Sequence, residues 1–232
     1  RILLHGFFDS VEPPIFDERE LIKKLKLFGY TREEINKVIQ PMAVAGHEAT
    51  GSMGNDAALA VLSEKPQLLY SYFKQLFAQV TNPAIDPIRE ESVMSLMTFI
   101  GNRSNILEET PGHAHLLKLH HPILTNEDIE RIKKSPVKSF KATTIPMYFD
   151  ASGDESDKLG KALDRLVEIA EIAEIAVRSG FSVIILSDKD LPENHIPIPS
   201  LLAVSAVNKH LINKGLRTSA GLVVETGEAR EI

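Results

Sequence analysis

The sequence predicts an α/β fold in which a helical N-terminal half packs on a parallel α/β C-terminal half. Apolar residues recur at helical spacing through much of the first half. The last third instead contains two short apolar, β-branched runs, at 181–186 and 221–225. Helical segments at 158–178 and 199–214 precede these runs, so the order is helix, strand, helix, strand. That order is typical of parallel sheets with right-handed crossovers.

The first predicted helix carries Leu21, Ile22, Leu25 and Phe28 on one face and ends at Gly29. Apolar residues at this spacing are the signature of an amphipathic helix. Glycine favours a helix end because it readily adopts the left-handed conformation that closes the last turn. We therefore expect a helix followed directly by a turn.

A second helix is predicted to begin at Thr31, whose side chain can form a capping box with Glu34. We expect it to end near Pro41, because proline lacks the N–H group that a helix interior requires. Another helix begins near Asn55 or Asp56, since both residue types are good N-caps.

Two more helices are expected before residue 100, one beginning at Pro66 and one spanning about 88–99. The segment TNEDIERIKK at 125–134 predicts a short helix that Thr125 caps together with Asp128. The helix that begins at Pro66 carries Leu69, Phe73, Leu76 and Phe77 on one stripe.

The strands are predicted from apolar runs in the second half of the chain. Residues 142–149 alternate weakly and predict one strand, whereas the strands predicted at 181–186 and 221–225 contain the continuous apolar runs 183–186 and 222–224. A continuous apolar run indicates a strand that is buried on both faces. The residues expected to be largely buried are Val183, Ile184, Ile185, Leu222 and Val223.

Composition limits the functions that this chain can perform. Its 26 Lys and Arg and 32 Asp and Glu give a net charge of −6, which does not favour binding to nucleic acid or to an anionic membrane. Cysteine is absent, so this chain has no disulfide, thiolate metal site, iron–sulfur ligand or cysteine nucleophile. No stretch approaches the roughly 18 consecutive apolar residues of a membrane span. We expect a cytoplasmic protein without nucleic-acid or membrane partners.

Two motifs have an ordinary structural interpretation that we favour over a binding site. Four histidines lie within nine residues, but a metal site requires convergent nitrogens and usually a further ligand, so a short surface helix with solvated histidines is the better account. The glycines Gly51 and Gly54 could cradle a phosphate before a helix. Neither the lysine of a Walker loop nor the preceding strand of a dinucleotide fingerprint accompanies them, so a tight turn is favoured. The four histidines are His113, His115, His120 and His121.

Three carboxylates, Asp188, Asp190 and Glu225, stand at the carboxyl ends of predicted strands. That edge of an α/β sheet commonly carries chemistry, although helix caps and solvated loop residues occupy it too. These residues define one hypothesis, an independent α/β enzyme or a phosphate- or flavin-binding domain with its site at the strand ends.

The segment TNPAIDPIREE at 81–91 packs charges of both signs between prolines. A solvated loop does not need this stiffness, so the segment is a candidate surface for docking on a neighbouring domain. Its candidate contact residues are Asn82, Asp86, Arg89 and Glu90.

Several segments together resemble the central domain of glutamate synthases, and the match runs in order along the chain. Ala84 departs from the family pattern, which usually has a second proline at this position. The segments are TGSMGNDAALAVLS at 50–63, YFKQLFAQVTNPAIDPIREE at 72–91, PILTNEDIE at 122–130, VIILSD at 183–188, PSLLAVSAVNKHL at 199–211 and GLVVETGEAREI at 221–232.

The resemblance implies that the parent protein converts glutamine and 2-oxoglutarate into two glutamates. An N-terminal glutaminase domain releases ammonia, which crosses an internal tunnel to an FMN-bearing barrel that also holds an iron–sulfur cluster. The implied central domain, residues 1–232, joins these two partner domains within one polypeptide and resembles a rudimentary TIM barrel. It divides into a mainly helical part, 1–140, and a strand–helix–strand part, 141–232.

The resemblance also implies that this chain has no catalytic residue and no cofactor of its own, whereas the parent is an oxidoreductase acting on CH–NH₂ donors. It places one loop near the entrance of the ammonia tunnel. Small residues there would leave room for a conduit, and their polar atoms could face the ammonia. The loop residues are Thr50, Gly51, Ser52, Met53, Gly54 and Asn55.

Overall fold

A computed structural model of the protein describes two compact units. Met94–Thr226, with Arg1–Ile15, form one unit, which we call the sheet unit. Phe16–Val93, with Gly227–Ile232, form the other, which we call the helical unit. The chain thus returns to the helical unit after Thr226. The described residues are 2–3, 17–46, 58, 60–65, 67–73, 85–105 and 107–230.

The helical unit begins with helix α1, Glu18–Leu27, and the predicted stop follows it. Asp17 caps the helix by accepting a hydrogen bond from the backbone N–H two residues further on, at 3.1 Å. Gly29 has a φ of 69°, the left-handed conformation that glycine adopts without strain. The capping box predicted for Thr31 and Glu34 is confirmed, with backbone-to-side-chain distances of 2.7 and 3.1 Å.

The second helix does not end near Pro41, so that prediction is wrong. A π-helical turn precedes the proline, and within it the N–H of Gln40 donates to the carbonyl of Ile35, five residues back. Pro41 then lies in the first turn of the next α-helical segment, where no N–H donor is needed. The helix ends at Gly46, with a φ of 67°. Its consecutive parts are α2 (Arg32–Glu34), the π-helical turn (Ile35–Ile39) and α3 (Gln40–Ala45).

The helix predicted over 88–99 is confirmed in its first half, and the prediction is wrong for its second half. Helix α4 spans Pro87–Val93, but Thr98–Ile100 form a strand that pairs with Leu117–Leu119. The surface helix expected around the histidines is a single 3₁₀ turn, Pro111–Ala114, before that partner strand. Pairing between distant segments therefore outweighed the local helical pattern.

Two further helix predictions fall largely on residues outside the description. Of the helix expected from Pro66, the described part contains a 3₁₀ turn at Leu69–Tyr72. The start expected near Asn55 or Asp56 lies outside the described residues.

The sheet unit combines helices with mainly short strands, and its helix near residue 126 is capped as predicted by Thr125 and Asp128. Its helices are α5 (Asn126–Lys133), α6 (Glu155–Arg178) and α7 (Ser200–Asn213). Its strands are β1 (Ile2–Leu3), β2 (Thr98–Ile100), β3 (Leu117–Leu119), β4 (Ala142–Pro146), β5 (Tyr148–Asp150), β6 (Val183–Ser187), β7 (His195–Pro197) and β8 (Gly221–Glu225).

A parallel sheet in the order β4–β6–β8 is the centre of this unit. Helix α6 lies between β4 and β6 in the chain, and α7 lies between β6 and β8, so the predicted α/β alternation is confirmed. Within the described ranges this sheet has three strands and does not close into a barrel. The strand predicted over 142–149 divides at Met147 into β4 and β5, and β5 pairs with β7 instead.

Strand β6 carries the core on both of its faces, because successive side chains of a strand point in opposite directions. Ile184 and Leu186 belong to a cluster that includes residues of α6 and α7, whereas Val183 and Ile185 belong to a cluster on the other side. Val183, Ile184 and Ile185 are fully buried, as predicted. Leu222 and Val223 are only half-buried, since β8 is an edge strand of the described sheet.

Helices α6 and α7 are joined by charged side chains as well as by apolar contacts. Glu174 of α6 accepts hydrogen bonds from Arg178 at 2.9 Å and from His210 of α7 at 2.6 Å. Lys214 lies 3.5 Å from the same carboxylate. These hydrogen bonds, first that from Arg178 and then that from His210, lower the pKa of Glu174 to about 2.

The returning segment after β8 packs closely on the turn between α1 and α2. The Arg230 guanidinium lies 3.4 Å from the centre of the Tyr30 ring and donates to the carbonyl of Phe28 at 2.6 Å. Gly227 faces the Phe28 ring so closely that an added Cβ would lie 2.5 Å from a ring carbon. Phe28 is buried and cannot easily move aside.

This contact makes a prediction about two glycine substitutions. Gly227→Ala should lower the free energy of unfolding by about 1–3 kcal/mol, because the new methyl group overlaps the Phe28 ring. Gly160→Ala, inside α6 and with no atom within 4 Å of the added Cβ, should raise it by about 0.5–1 kcal/mol through helix propensity. Urea denaturation of both variants measures the two effects, and an equal shift in the same direction would contradict the packing described.

Candidate functional site

Two of the three strand-end carboxylates lie together at the carboxyl edge of the parallel sheet. Glu225 is the last residue of β8, and it pairs in register with Ser187, the last residue of β6. Asp188 follows Ser187 and is buried, whereas Asp190 is exposed in the next turn. Asp188 and Glu225 therefore lie together at this edge, and Asp190 does not share their burial.

Glu225 is the centre of a charged network at this edge. Its side chain is 10% exposed and accepts a hydrogen bond from the Ser187 hydroxyl at 2.7 Å. The ammonium groups of Lys133 and Lys189 each lie 3.2 Å from one of its carboxylate oxygens. Lys133 comes from the last turn of α5, and it also pairs with Glu130 at 3.0 Å. Sequence reasoning did not find Lys133, since only the tertiary fold brings α5 to the end of β8.

Asp188 completes the edge through its backbone and its carboxylate. Its N–H donates to the carbonyl of Glu225 at 3.1 Å, which extends the β6–β8 ladder. Its carboxylate accepts a hydrogen bond from the Thr226 hydroxyl at 2.5 Å. Both strand-end carboxylates are thus engaged with neighbouring side chains.

The ionisation of this network suits structural stability better than proton transfer. Burial raises the pKa of Glu225, but the Ser187 hydrogen bond and the two lysines outweigh it and hold the pKa below its ordinary value. Burial lowers the pKa of Lys133, but Glu130 and Glu225 outweigh it and hold that pKa above its ordinary value. A general acid or base works best with a pKa near the operating pH. Both groups move away from neutrality, which argues against an acid–base role.

A second feature of the sheet unit is an open cleft of about 600 Å³ beside the N-terminal half of α6. Arg165 at its wall donates to the carbonyl of Pro146 at 2.9 Å and to Glu168 at 2.6 Å. Lys161 donates to the carbonyl of Ser152 at 2.6 Å. The cleft was not anticipated from the sequence, because its walls come from β5, β7 and α6. Its lining residues are Pro146, Tyr148, Phe149, Asp150, Lys161, Asp164, Arg165, Glu168 and His195.

The candidate docking residues of the helical unit are only partly described. Asp86 caps α4: its carboxylate accepts from the N–H groups of Ile88 and Arg89, at 3.0 and 2.9 Å. Arg89 and Glu90 are exposed on the same helix, and Asn82 lies outside the described residues. The role of these residues in domain contact stays a prediction.

The predicted tunnel loop, Thr50 to Asn55, lies entirely outside the described residues. Its position near a tunnel therefore also stays a prediction, to which the described geometry adds nothing.

The described histidines do not lie on the predicted surface helix, and His115 makes specific side-chain contacts. The ring of His115 stacks on Phe140 with centroids 5.0 Å apart, and its Nε2 lies 2.5 Å from the Ser139 hydroxyl. Within the described ranges no group of three or more His, Cys, Asp or Glu side chains is arranged to hold a metal ion. None of the described helices is both long and apolar enough to cross a bilayer.

Comparison with known proteins adds what the geometry alone does not provide. The family profile described as "Glutamate synthase central domain" matches residues 23–232. The chain is 45% identical over 213 residues to the large chain of the NADPH glutamate synthase of Bacillus subtilis, which covers 92% of this chain and 13% of that protein. It is 44% identical over 216 residues to the chloroplastic ferredoxin-dependent glutamate synthase 2 of Arabidopsis thaliana. This match covers 92% of this chain and 13% of that protein. The NADH glutamate synthase of Schizosaccharomyces pombe is 43% identical to this chain over 223 residues. This match covers 94% of this chain and 10% of that protein.

The Glu225 network makes a prediction about stability and pH. Glu225→Gln should lower the free energy of unfolding by about 1–3 kcal/mol at neutral pH, because it leaves two lysines without their shared carboxylate. The pKa of Glu225 is lowered by folding, so its contribution is complete above the ordinary carboxyl pKa of about 4.3 and disappears as the pH falls through the folded-state value.

Denaturation of wild type and variant across this pH range measures the effect. Glu33→Gln is the matched control, because Glu33 pairs with Lys37 at 3.0 Å with both side chains 74% exposed. That change should alter stability by less than about 0.5 kcal/mol. A Glu225→Gln variant as stable as this control would show that the network does not stabilise the sheet edge.

Proposed function

The chain belongs to the glutamate synthase central domain family, and we propose on this basis that it is the connecting domain of a glutamate synthase. In this proposal it joins a glutaminase domain to an FMN-bearing domain within one polypeptide. The observation that carries it is the match over 92% of this chain together with only 13% of the relatives' length. The relatives are thus long multidomain chains, and this region is one part of them.

The parent reaction, in this proposal, converts glutamine and 2-oxoglutarate into two glutamates, with the chemistry in other domains. Two observations on this chain support the division of labour. It has no cysteine for a glutaminase nucleophile or an iron–sulfur cluster. Its strand-end carboxylate Glu225 is paired with two lysines and has a pKa displaced away from neutrality. FMN and the cluster accordingly belong to the parent enzyme, and we assign no residue of this chain to either.

We propose that the domain resembles a rudimentary TIM barrel, and the order of its strands and helices supports this proposal. Strands β4, β6 and β8 are parallel and alternate in the chain with α6 and α7, which is the repeating pattern of a β/α barrel. We therefore propose residues 1–232 as a single central domain of this incomplete-barrel type, working in the reducing cytoplasm that a cysteine-free chain suits.

The loop Thr50–Asn55 contributes to the ammonia tunnel in this proposal, and the exposed residues Arg89 and Glu90 contribute to contacts with a neighbouring domain. The loop is composed of small and polar residues, apart from Met53, which leaves room for a conduit. The charges of α4 are available because Asp86, not Arg89 or Glu90, caps the helix.

Bulk in the loop should uncouple the two half-reactions of the parent enzyme. In the full-length protein, Ser52→Trp or Gly51→Leu should leave glutamine hydrolysis intact, since neither removes a catalytic group. The glutamate formed per glutamine hydrolysed should fall, because ammonia would leak to solvent. Measuring ammonia release and glutamate formation on the same samples gives this ratio.

A matched control separates a tunnel from a simple turn. Ser156→Trp places the same bulk on an exposed position of α6 and should leave the ratio unchanged. If the loop is only a helix entry, Gly51→Leu should cost about 1 kcal/mol or more of stability while the ratio stays at the wild-type value. That outcome in well-folded variants would remove the tunnel role.

The 232-residue chain alone should bind no FMN and hydrolyse no glutamine, since its sequence has no cysteine and no recognisable motif for binding a flavin phosphate. Absorbance of the purified chain near the flavin bands and an ammonia assay test this directly. Stoichiometric flavin on the purified chain would contradict the proposed division of labour.

A further inference from the structure

Two arginines of the sheet unit are held close together by interlocked backbone segments. The N–H of Arg103, in the loop after β2, donates to the carbonyl of Thr218 at 2.8 Å. Just beyond that residue, an added Cβ at Gly221 would lie 3.1 Å from the backbone nitrogen of Gly101, so the loop and the start of β8 are in close contact. Arg217 immediately precedes Thr218, and the interlock therefore places Arg103 beside Arg217.

Arg217 is fixed in position by two hydrogen bonds. Its Nε donates to Asn208 at 2.6 Å, and its Nη1 donates to the carbonyl of Ala220 at 3.0 Å. A guanidinium has five N–H donors, so Nη2 and one hydrogen of Nη1 are not used by these bonds. Arg103 is exposed, and its side chain donates to the carbonyl of Phe99 at 3.3 Å.

Neither guanidinium has a carboxylate within ion-pair distance among the residues that the structure describes. A nearby acid, Glu108, accepts a hydrogen bond from Asn105 at 2.9 Å. The pKa of Arg217 is lowered, first by burial and then by the positive charge of Arg103. Two like charges held in this way repel each other, and an anion between them would remove the repulsion.

One further polar atom lies beside the same loop. An added Cβ at Gly112 would be 3.7 Å from the Ser104 hydroxyl, so the 3₁₀ turn Pro111–Ala114 contacts the loop next to Arg103. In that turn the Nε2 atom of His113 is shielded and has no hydrogen-bond partner in the part of the chain described. A buried polar atom of this kind calls for an explanation, and an ordered water or a bound ion would provide one.

We propose that Arg103 and Arg217 form a binding site for a small oxyanion of the phosphate class. The planar guanidinium fork matches the geometry of phosphate oxygens, and charge-assisted hydrogen bonds of this type are among the stronger ones in proteins. Arg217 provides a half-buried guanidinium that two hydrogen bonds hold in place, and Arg103 provides an exposed guanidinium from the neighbouring loop. The site needs only residues of this chain, so it does not depend on the proposed role of the parent enzyme.

Hydrogen exchange with mass spectrometry tests the site within the full-length protein, because it reports on chosen peptides. Inorganic phosphate, added against chloride at matched ionic strength, should slow exchange saturably in peptides that cover 99–105 and 214–222. Peptides from α4 in the helical unit should not respond. The midpoint of the response gives the dissociation constant.

Arg103→Gln is the diagnostic variant, since among the described residues the Arg103 side chain makes one hydrogen bond, and its loss should leave the fold intact. It should weaken phosphate binding by about tenfold or more, the factor expected for one charge-assisted hydrogen bond. Arg103→Lys retains the positive charge without the guanidinium fork, so its affinity for phosphate should lie between those of wild type and Arg103→Gln. Arg32→Gln, an exposed arginine of α2, is the control and should bind phosphate as wild type does.

Three outcomes would overturn the proposal. The first is exchange in both peptides that does not change with phosphate at any concentration. The second is protection that exists without phosphate and persists in its presence, because an acidic side chain of another domain would then occupy the arginines. The third is equal phosphate binding by wild type and Arg103→Gln.

Discussion

Burial of β6 on both faces is the constraint on which the rest of the sheet unit depends. Its apolar side chains point alternately into two clusters, one shared with α6 and α7 and the other with β3 and the segment around Phe140. A strand between two parallel neighbours must satisfy its backbone on both sides, and β4 and β8 do so in register. Val183, Ile184 and Ile185 are fully buried. Loss of either cluster or of either neighbouring strand would expose at least one of them to water.

The polar residues at the carboxyl end of β6 follow from this arrangement. Where the buried strand stops, its last side chains and the adjacent end of β8 meet near the protein surface, and unpaired charge there would be costly. Glu225 accepts a hydrogen bond from Ser187 and forms ion pairs with Lys133 and Lys189. Asp188 accepts a hydrogen bond from the Thr226 hydroxyl. The edge that most often carries chemistry in α/β proteins is thus occupied here by an ion-paired network, which suits a domain whose proposed task is to connect others.

The helical unit depends on a different device, the return of the chain after β8. Arg230 combines contact with the Tyr30 ring, a hydrogen bond to the Phe28 carbonyl and an ion pair with Glu34 at 3.4 Å. A single guanidinium therefore ties residues near the end of the chain to the turn between α1 and α2. Gly227 allows this approach because no side chain stands between its backbone and the Phe28 ring. This contact joins the two separate stretches of chain, Phe16–Val93 and Gly227–Ile232, that make up the helical unit.

The sequence by itself determined the features that depend on neighbouring residues: the capping boxes at Thr31 and Thr125, the stop at Gly29, the long helix before Gly180 and the fully buried strand β6. Its agreement with the glutamate synthase pattern also identified the family. Only the tertiary structure decided the features that depend on distant residues. Residues 98–100 became a strand through pairing with β3, and Leu222 and Val223 stayed half-buried on an edge strand. Lys133 reached Glu225 across 92 residues of chain, and Arg103 was brought to Arg217 in the same way. Local spacing encodes periodicity and caps, but strand partners and ion pairs are selected by contacts that form only when the whole chain is folded.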